Sequence, residues 1–258
     1  MPTRSPAAIS FVIPAHNEEM SVSACIASIK AELARTPVPA EIIVVNNAST
    51  DGTKAVALEH PGVTVVDEPV KGLPRARHAG FRKATGELIA NIDADTRLPA
   101  RWLEKTLREF EKSPKLVALS GPYIYYDLPR RVRAAIAAFY GLAYFLYALN
   151  RYVLRVGSLI QGGNFVARRR ALEAIGGYDT NILFYGEDTD IARRLHKIGP
   201  VKFTLSFPVY SSGRRLAREG VVAIGLRYTV NYFWVTFLKK PFTTAAPKDV
   251  SGAPAAKN

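Results

Sequence analysis

Two carboxylates one residue apart, Asp93 and Asp95, stand at the end of the apolar run 88–92, in Ile92-Asp93-Ala94-Asp95-Thr96. Just past a strand, both can reach one divalent cation. Hard oxygen ligands of this kind suit Mg2+ or Mn2+, which keep several waters and bridge to phosphate oxygens. An isolated Asp-x-Asp is as readily a surface turn; the preceding apolar run favours the metal. A second acidic set, Gly186-Glu187-Asp188-Thr189-Asp190, leads into Ile191, Leu195 and Ile198 at helical spacing. Its carboxylates either complement a helix N-terminus or include a general base. Lys71, Arg75 and Arg77 precede the Asp-x-Asp strand. They are cations suited to phosphate, or a solvated basic helix face. Arg75 and Arg77 cannot both address one ligand, because residues two apart on a helix point in different directions.

Two further turns follow apolar runs: Pro14-Ala15-His16-Asn17-Glu18-Glu19 and Asn46-Asn47-Ala48-Ser49-Thr50-Asp51-Gly52-Thr53. Their small polar residues offer hydrogen bonds to a base and ribose, while Asn17 and Asp51 are equally good helix caps. Finding two such turns at adjacent strand ends favours a nucleotide pocket. Gly162-Gly163-Asn164 lets backbone approach a ligand closely or makes a tight turn before Arg168-Arg169-Arg170. Ser211-Ser212-Gly213-Arg214-Arg215 is a basic loop able to close over a diphosphate, or a basic surface turn. The four histidines lack metal-ligand spacing, and the single cysteine, Cys25, excludes an intrachain disulfide and a Cys-based zinc site.

The elements that must position these residues follow from periodicity. With 258 residues, 48% hydrophobic and 22% charged, the chain is long and apolar enough for a folded α/β domain. Short apolar runs at 9–13, 42–45, 63–66, 88–92 and 116–119 predict buried strands. Val22, Cys25, Ile26, Ile29 and Leu33 predict one helix between the first two strands. Trp102, Leu103, Leu107 and Phe110 predict another, with Pro99 in its first turn. Alternating strands and helices imply a mainly parallel sheet covered on both faces, which binds ligands at the carboxyl ends of its strands. Residues 134–149 form a nearly uncharged run with five aromatics, flanked by Arg130, Arg131, Arg133, Arg151 and Arg155. Residues 221–238 form a second, closed by Lys239 and Lys240. Both are short for a bilayer span, which takes roughly 20 apolar residues, and read as amphipathic helices in a membrane interface or packed on the domain. Residues 245–258 are expected to be a disordered tail. A net charge of +13 admits nucleic acid, an anionic membrane surface or a phosphorylated small molecule; no nucleic-acid-binding motif is present, so no nucleic-acid partner is expected.

Taken in order, Ser10 to Glu18, Val44 to Thr53, Lys71-Gly72 through Gly80, Gly86-Glu87, Asp93-Ala94-Asp95, Gly162-Gly163-Asn164, Gly176-Gly177-Tyr178-Asp179 and Gly186-Glu187-Asp188 resemble glycosyltransferase family 2. The resemblance runs from about residue 10 to residue 199. It implies the GT-A fold and an inverting transfer from a nucleotide diphosphate sugar, with a divalent metal at Asp93 and Asp95. By that pattern Pro14, Ala15, Asn17 and Glu18 meet the nucleotide. Asn47 and Asp51 lie near its base and ribose, and Asp93, Ala94 and Asp95 bracket ribose, diphosphate and metal. Lys71 and Arg75, with Arg214 and Arg215, are then candidates for the donor diphosphate, and Gly162, Gly163 and Asn164 for donor sugar or acceptor. Asp188 becomes the catalytic base, Glu187 positions the acceptor or the base, and Asp190 is structural.

This chain departs from the pattern at Asn46-Asn47, where many members carry an acidic pair, and at His78, where Asn is common. The implied organisation is a nucleotide-sugar-binding half (1–125), an acceptor-binding and catalytic half (126–215), a C-terminal apolar helix (216–244) and the tail (245–258). The acidic pair favours a hydroxyl acceptor, a glycan or lipid-linked sugar, because a polyprenyl phosphate is already an anion and needs no base. Transfer to polyprenyl phosphate is the competing reaction, and a non-catalytic basic module the competing class. A short polar start predicts no cleavable signal peptide, so a cytoplasmic, membrane-peripheral location is expected.

Overall fold

The apolar runs become strands. The computed structural model describes residues 8–149, 159–182 and 186–221, with 223–227, 230 and 234. In chain order the first half is β1 (Ile9–Ala15), α1 (Val22–Arg35), β2 (Ala40–Asn47), α2 (Thr53–Leu58), β3 (Val63–Glu68), α3 (Leu73–Lys83), β4 (Leu88–Ile92) and α4 (Trp102–Lys112). There follow β5 (Ala118–Ser120), β6 (Tyr123–Tyr125), α5 (Arg130–Leu149), β7 (Asn164–Arg168), α6 (Arg169–Ala174), α7 (Glu187–His196), β8 (Val201–Phe203), β9 (Val209–Ser211) and α8 (Arg214–Glu219). Seven strands form one sheet in the order β3-β2-β1-β4-β7-β5-β8. β1, β2, β3 and β4 run parallel, and β7 alone is antiparallel to its neighbours. β6 and β9 make a separate parallel pair.

Both faces of the sheet are covered, which is why its strands are apolar throughout rather than alternating. On one face Phe11, Ile13 and Val44 pack with Val22, Cys25, Ile26 and Ile29 of α1 and with Trp102 and Phe110 of α4. On the other, Val12, Ile43 and Val45 pack with Phe81 of α3, Leu172 of α6 and Ile191 and Leu195 of α7. α3 lies close to the sheet because Gly80 has no side chain; a Cβ there would stand 3.0 Å from Val45 Cγ2 and nearer still to Val12 Cγ1.

Several boundaries move. Pro99 is not in the first turn of α4 but three residues before it, in the turn that closes with Trp102 N–H donating to the Pro99 carbonyl. α4 is capped instead by Glu32 of α1, a buried carboxylate that accepts from the amides of Arg101 (3.2 Å) and Leu103 (3.0 Å). The aromatic run begins earlier than its apolar residues, at Arg130. Of 221–238 only some positions are described; Arg151, Arg155, Lys239, Lys240 and 245–258 lie outside the described residues. Among the described residues no helix is long and apolar enough to cross a membrane.

Candidate active site

In the parallel register Ala15 lies beside Asn46, and Val12 beside Asn91. The turns leaving β1, β2 and β4 therefore emerge together at one edge. The first two are tied to each other. Asn17, with φ of 53°, accepts from the Thr50 amide (2.8 Å), and its own amide donates to Ser49 Oγ (3.2 Å). Asp51 accepts from the amides of Thr53 (3.0 Å) and Glu19 (3.2 Å), so it caps α2 and clamps the β1 turn at once. The Glu18 amide donates to Thr53 Oγ1 at 2.7 Å. Capping and pocket-building are here one arrangement: these hydrogen bonds hold the turns open at the strand ends, with Pro14 and Ala15 buried beneath them.

Three carboxylates gather at that edge. Glu18 is ion-paired with Arg214, brought over the site by the turn into α8, and Arg214 Nη2 also lies 3.4 Å from Asp95 Oδ2. Asp127 secures this turn by accepting from the Gly213 amide and Ser212 Oγ, both at 2.6 Å. Burial, and then the nearby Glu18 charge, push the Asp95 carboxyl up to about 7, with Arg214 pulling the other way. Burial likewise raises Glu18. Asp93 is held differently: Arg77 Nη2 donates to its Oδ1 at 2.8 Å and Tyr123 Oη to its Oδ2 at 3.1 Å.

Arg77 also donates to Glu187 Oε1 at the start of α7. It is 1% exposed, and although burial opposes its charge, Glu187 and Asp93 outweigh that and push its pKa up. Burial raises Glu187 to about 7, against the opposing pull of Arg77. Asp188 is half-buried, raised by desolvation, and accepts from the Thr189 amide at 2.8 Å. Asp190 pairs instead with Arg193 and Arg194 of its own helix. Gly162 and Gly163 pack against this network. A Cβ on Gly162 would meet Arg77 Nη1 and Glu187 Oε1 at 2.8 Å, and one on Gly163 would overlap Asp93 and stand 2.6 Å from Tyr123 Oη.

Three expected contacts are placed elsewhere. Asn47 does not present its side chain to a base: its amide donates to the carbonyls of Glu68 (3.1 Å) and Val70 (2.7 Å) and accepts from the Gly72 amide (2.8 Å), binding β2 to the loop before α3. Asn164 is wholly buried, accepting from Trp102 Nε1 (3.2 Å) and donating to the Phe207 carbonyl (2.8 Å), so it serves the core. Arg75 points across α3 from Arg77 into an open groove of about 500 Å³ with Val66, Glu68, His78, Arg82 and Thr180. Lys71 is exposed in the loop before it. Arg77, expected among the cations for phosphate, instead bridges two carboxylates, and Ser211, expected in a basic loop over the diphosphate, places its Oγ 3.4 Å from Asp95; Tyr123, which donates to Asp93, is not among the expected site residues. A signal for Arg77 did exist: it falls on the stripe Pro74, Arg77, Phe81, Ala84, the only charge on the buried face of α3. Tyr123 carries none, since only the β6–β9 pairing brings it in.

A divalent metal fits the carboxylate edge in donor chemistry. Glu18 Oε2 is buried without a partner, and the Asp95 carboxylate is met by Ser211 Oγ and Arg214 Nη2 only loosely, each at 3.4 Å. Asp93 is already spent on Arg77 and Tyr123, leaving Asp95 the better placed ligand. Among the described residues no group of three His, Cys, Asp or Glu could hold an ion alone, so ligands would also have to come from phosphate and water.

The profile of the family described as Glycosyl transferase family 2 matches residues 10–176. An uncharacterized glycosyltransferase of Mycobacterium tuberculosis is 41% identical over 110 residues, 43% of this chain and 47% of the relative. The poly-beta-1,6-N-acetyl-D-glucosamine synthase of Staphylococcus epidermidis is 26% identical over 197 residues, 73% of this chain and 45% of the relative. The chain thus spans about half the length of these curated relatives. Among solved structures, a mannosyltransferase from Pyrobaculum calidifontis in complex with GDP-Man and Mn2+ superposes with a TM-score of 0.65 at 22% identity, covering 92% of this chain and 65% of that one. Glucosyl-3-phosphoglycerate synthase from M. tuberculosis, with Mn2+, UDP-Glc and phosphoglyceric acid, gives 0.59 at 21%, covering 88% and 79%. The fold is the GT-A fold of these neighbours.

Proposed function

The chain belongs to glycosyl transferase family 2, and we propose on that premise that it moves a sugar, with inversion, from a nucleotide diphosphate sugar to a hydroxyl of a glycan or lipid-linked acceptor. The observation that carries the reading is the meeting of Glu18, Asp93 and Asp95 at the strand ends with the Glu187-Asp188 pair of α7, through Arg77. The nucleotide diphosphate sugars and Mn2+ bound by the two solved neighbours support the donor class and the metal.

Asp188 takes the acceptor hydroxyl proton as that oxygen attacks the anomeric carbon. The bond from that carbon to the diphosphate breaks on the opposite face, and its electron pair leaves with the nucleoside diphosphate. Desolvation, which raises Asp188, moves its basicity toward that needed near neutral pH. Glu187 is held by Arg77 and steadies the first turn of α7. Asp95, with phosphate oxygens of the donor, would hold Mg2+ or Mn2+. Such an ion neutralises charge developing on the leaving diphosphate. Arg214, and Arg215 beside it, supply further positive charge over the same place.

Work at an anionic membrane surface belongs to the same proposal. α5 buries Ile136 and Tyr147 against the domain, with Tyr147 Oη donating to the Val201 carbonyl at 3.2 Å, and leaves Phe139 (48%) and Phe145 (64%) exposed, behind Arg130 and Arg131 at its start. Apolar side chains with flanking cations suit anionic lipid.

The test is release of nucleoside diphosphate from a panel of UDP- and GDP-sugars with Mn2+. Asp95→Ala should abolish release. Asp188→Asn should lower kcat by about 100-fold or more while the donor still binds; near-wild-type turnover at saturating donor would remove Asp188 from the role of base.

A further inference from the structure

A buried ion pair is weak support for stability, since apolar residues of similar volume often serve as well or better. Arg77 is a pronounced case. Its guanidinium occupies the core-facing stripe of α3 at 1% exposure, where Phe81 and Ala84 are its neighbours in the pattern. Arg77 Nε and Glu187 Oε2 are both buried without partners, a cost that a purely structural pair would be better without. Backbone is shaped around it: neither Gly162 nor Gly163 could carry a Cβ without striking the network. The fork is directional as well as charged. One nitrogen holds Asp93 just past β4 and the other holds Glu187 at the start of α7, 110 residues along the chain from Arg77. Asp188 is the next residue.

We propose that Arg77 is a positioning residue, whose planar fork locks the donor-side Asp93 and the α7 acid pair into one unit and so aims Asp188 at the acceptor hydroxyl. This inference rests on the sugar-transfer reading above. Lys cannot replace Arg here, because an ammonium is a point charge without the rigid bidentate fork. A second consequence concerns the paired glycines. Their role is to admit this unit against the backbone, instead of touching the sugar.

The test compares wild type with Arg77→Lys and with the double variant Arg77→Met/Glu187→Leu, in which the two most deeply buried charges leave together while Asp93, a third exposed, keeps its bond from Tyr123. Thermal unfolding reports the fold. Calorimetric titration with the UDP- or GDP-sugar that wild type turns over, in Mn2+, reports donor affinity, and nucleoside diphosphate release gives kcat. The double variant should unfold at or above the wild-type temperature yet lose about 100-fold in kcat, the scale of an ångström-sized misplacement. Arg77→Lys should lose kcat by more than its donor Kd rises, that rise being about tenfold at most. Wild-type kcat in Arg77→Lys, or in a folded double variant, overturns the proposal; if the double variant does not fold, Arg77→Lys decides alone. Absence of release by wild type with every donor sinks the sugar-transfer reading instead, and this inference with it.

Discussion

Gly163→Ala makes the sharpest demand on the site. An added Cβ would stand 2.6 Å from the Tyr123 hydroxyl and closer still to the Asp93 carboxylate, where real contacts stay beyond 3.0 Å. The carboxylate must retreat by about 1 Å merely to clear that limit. It cannot do so and keep both its 2.8 Å bond from Arg77 and its 3.1 Å bond from Tyr123. Losing one hydrogen bond to a charged group, with the strain of overpacking, comes to about 2–4 kcal/mol. In a chain of this size that lowers Tm by about 5–15 °C. Displacement of Asp93 should also weaken Mn2+-dependent donor binding, read by calorimetric titration. Gly141→Ala in α5, where nothing lies within 4 Å of the new Cβ, is the control and should stabilise by about 1 kcal/mol. If Gly163→Ala unfolds with wild type and binds donor equally well, Asp93 is not fixed by Tyr123 and Arg77, and the reasoning fails.

Gly80→Ala should destabilise by about 1–3 kcal/mol through the clash of α3 with Val12 and Val45, measured by urea unfolding; an unchanged midpoint would mean that α3 can lift without cost. The Glu187 carboxyl, at about 7 in the fold against an ordinary 4.5, makes the folded chain bind a proton in that window that the unfolded chain has released. Its contribution is therefore full below pH 4.5 and lost as pH rises through 7. Glu187→Gln should flatten the Tm–pH profile across that window, and an unaltered slope would contradict the assignment. On flotation with anionic liposomes, Phe139→Ser/Phe145→Ser should lose most of the bound fraction that wild type shows at low salt; equal binding would release α5 from that role.

The sheet could be read from the sequence because its strands are covered on both faces: a run such as Ile42 to Val45 has no polar alternation to confuse with a surface strand. The amphipathic stripe of α1 was legible for the same reason, and its Val22, Cys25, Ile26 and Ile29 are all buried. Short strands were harder. β8 and β9 are three residues each, too brief for any period to emerge. Side-chain allegiance was hardest. Asn47 and Asn164 have the composition of ligand-binding residues, but Asn47 is used up by backbone carbonyls and an amide, and Asn164 by the Trp102 indole and the Phe207 carbonyl, partners that only the folded chain presents. Arg75 and Arg77 differ by two positions and were separable only by the rule that they face apart; which of them faces inward depended on where α3 lands on the sheet.

The sequence by itself determined the strands β1 to β5, the helices α1 and α4 among them, and the carboxylates at the strand ends, since burial period and turn chemistry are local properties of the chain. Tertiary structure alone decided that Arg77 joins Asp93 to Glu187 and that Arg214 reaches Glu18, 196 residues away in the chain, and Asp95 with it. Such contacts follow from the packing of whole elements across the sheet, which no local pattern encodes.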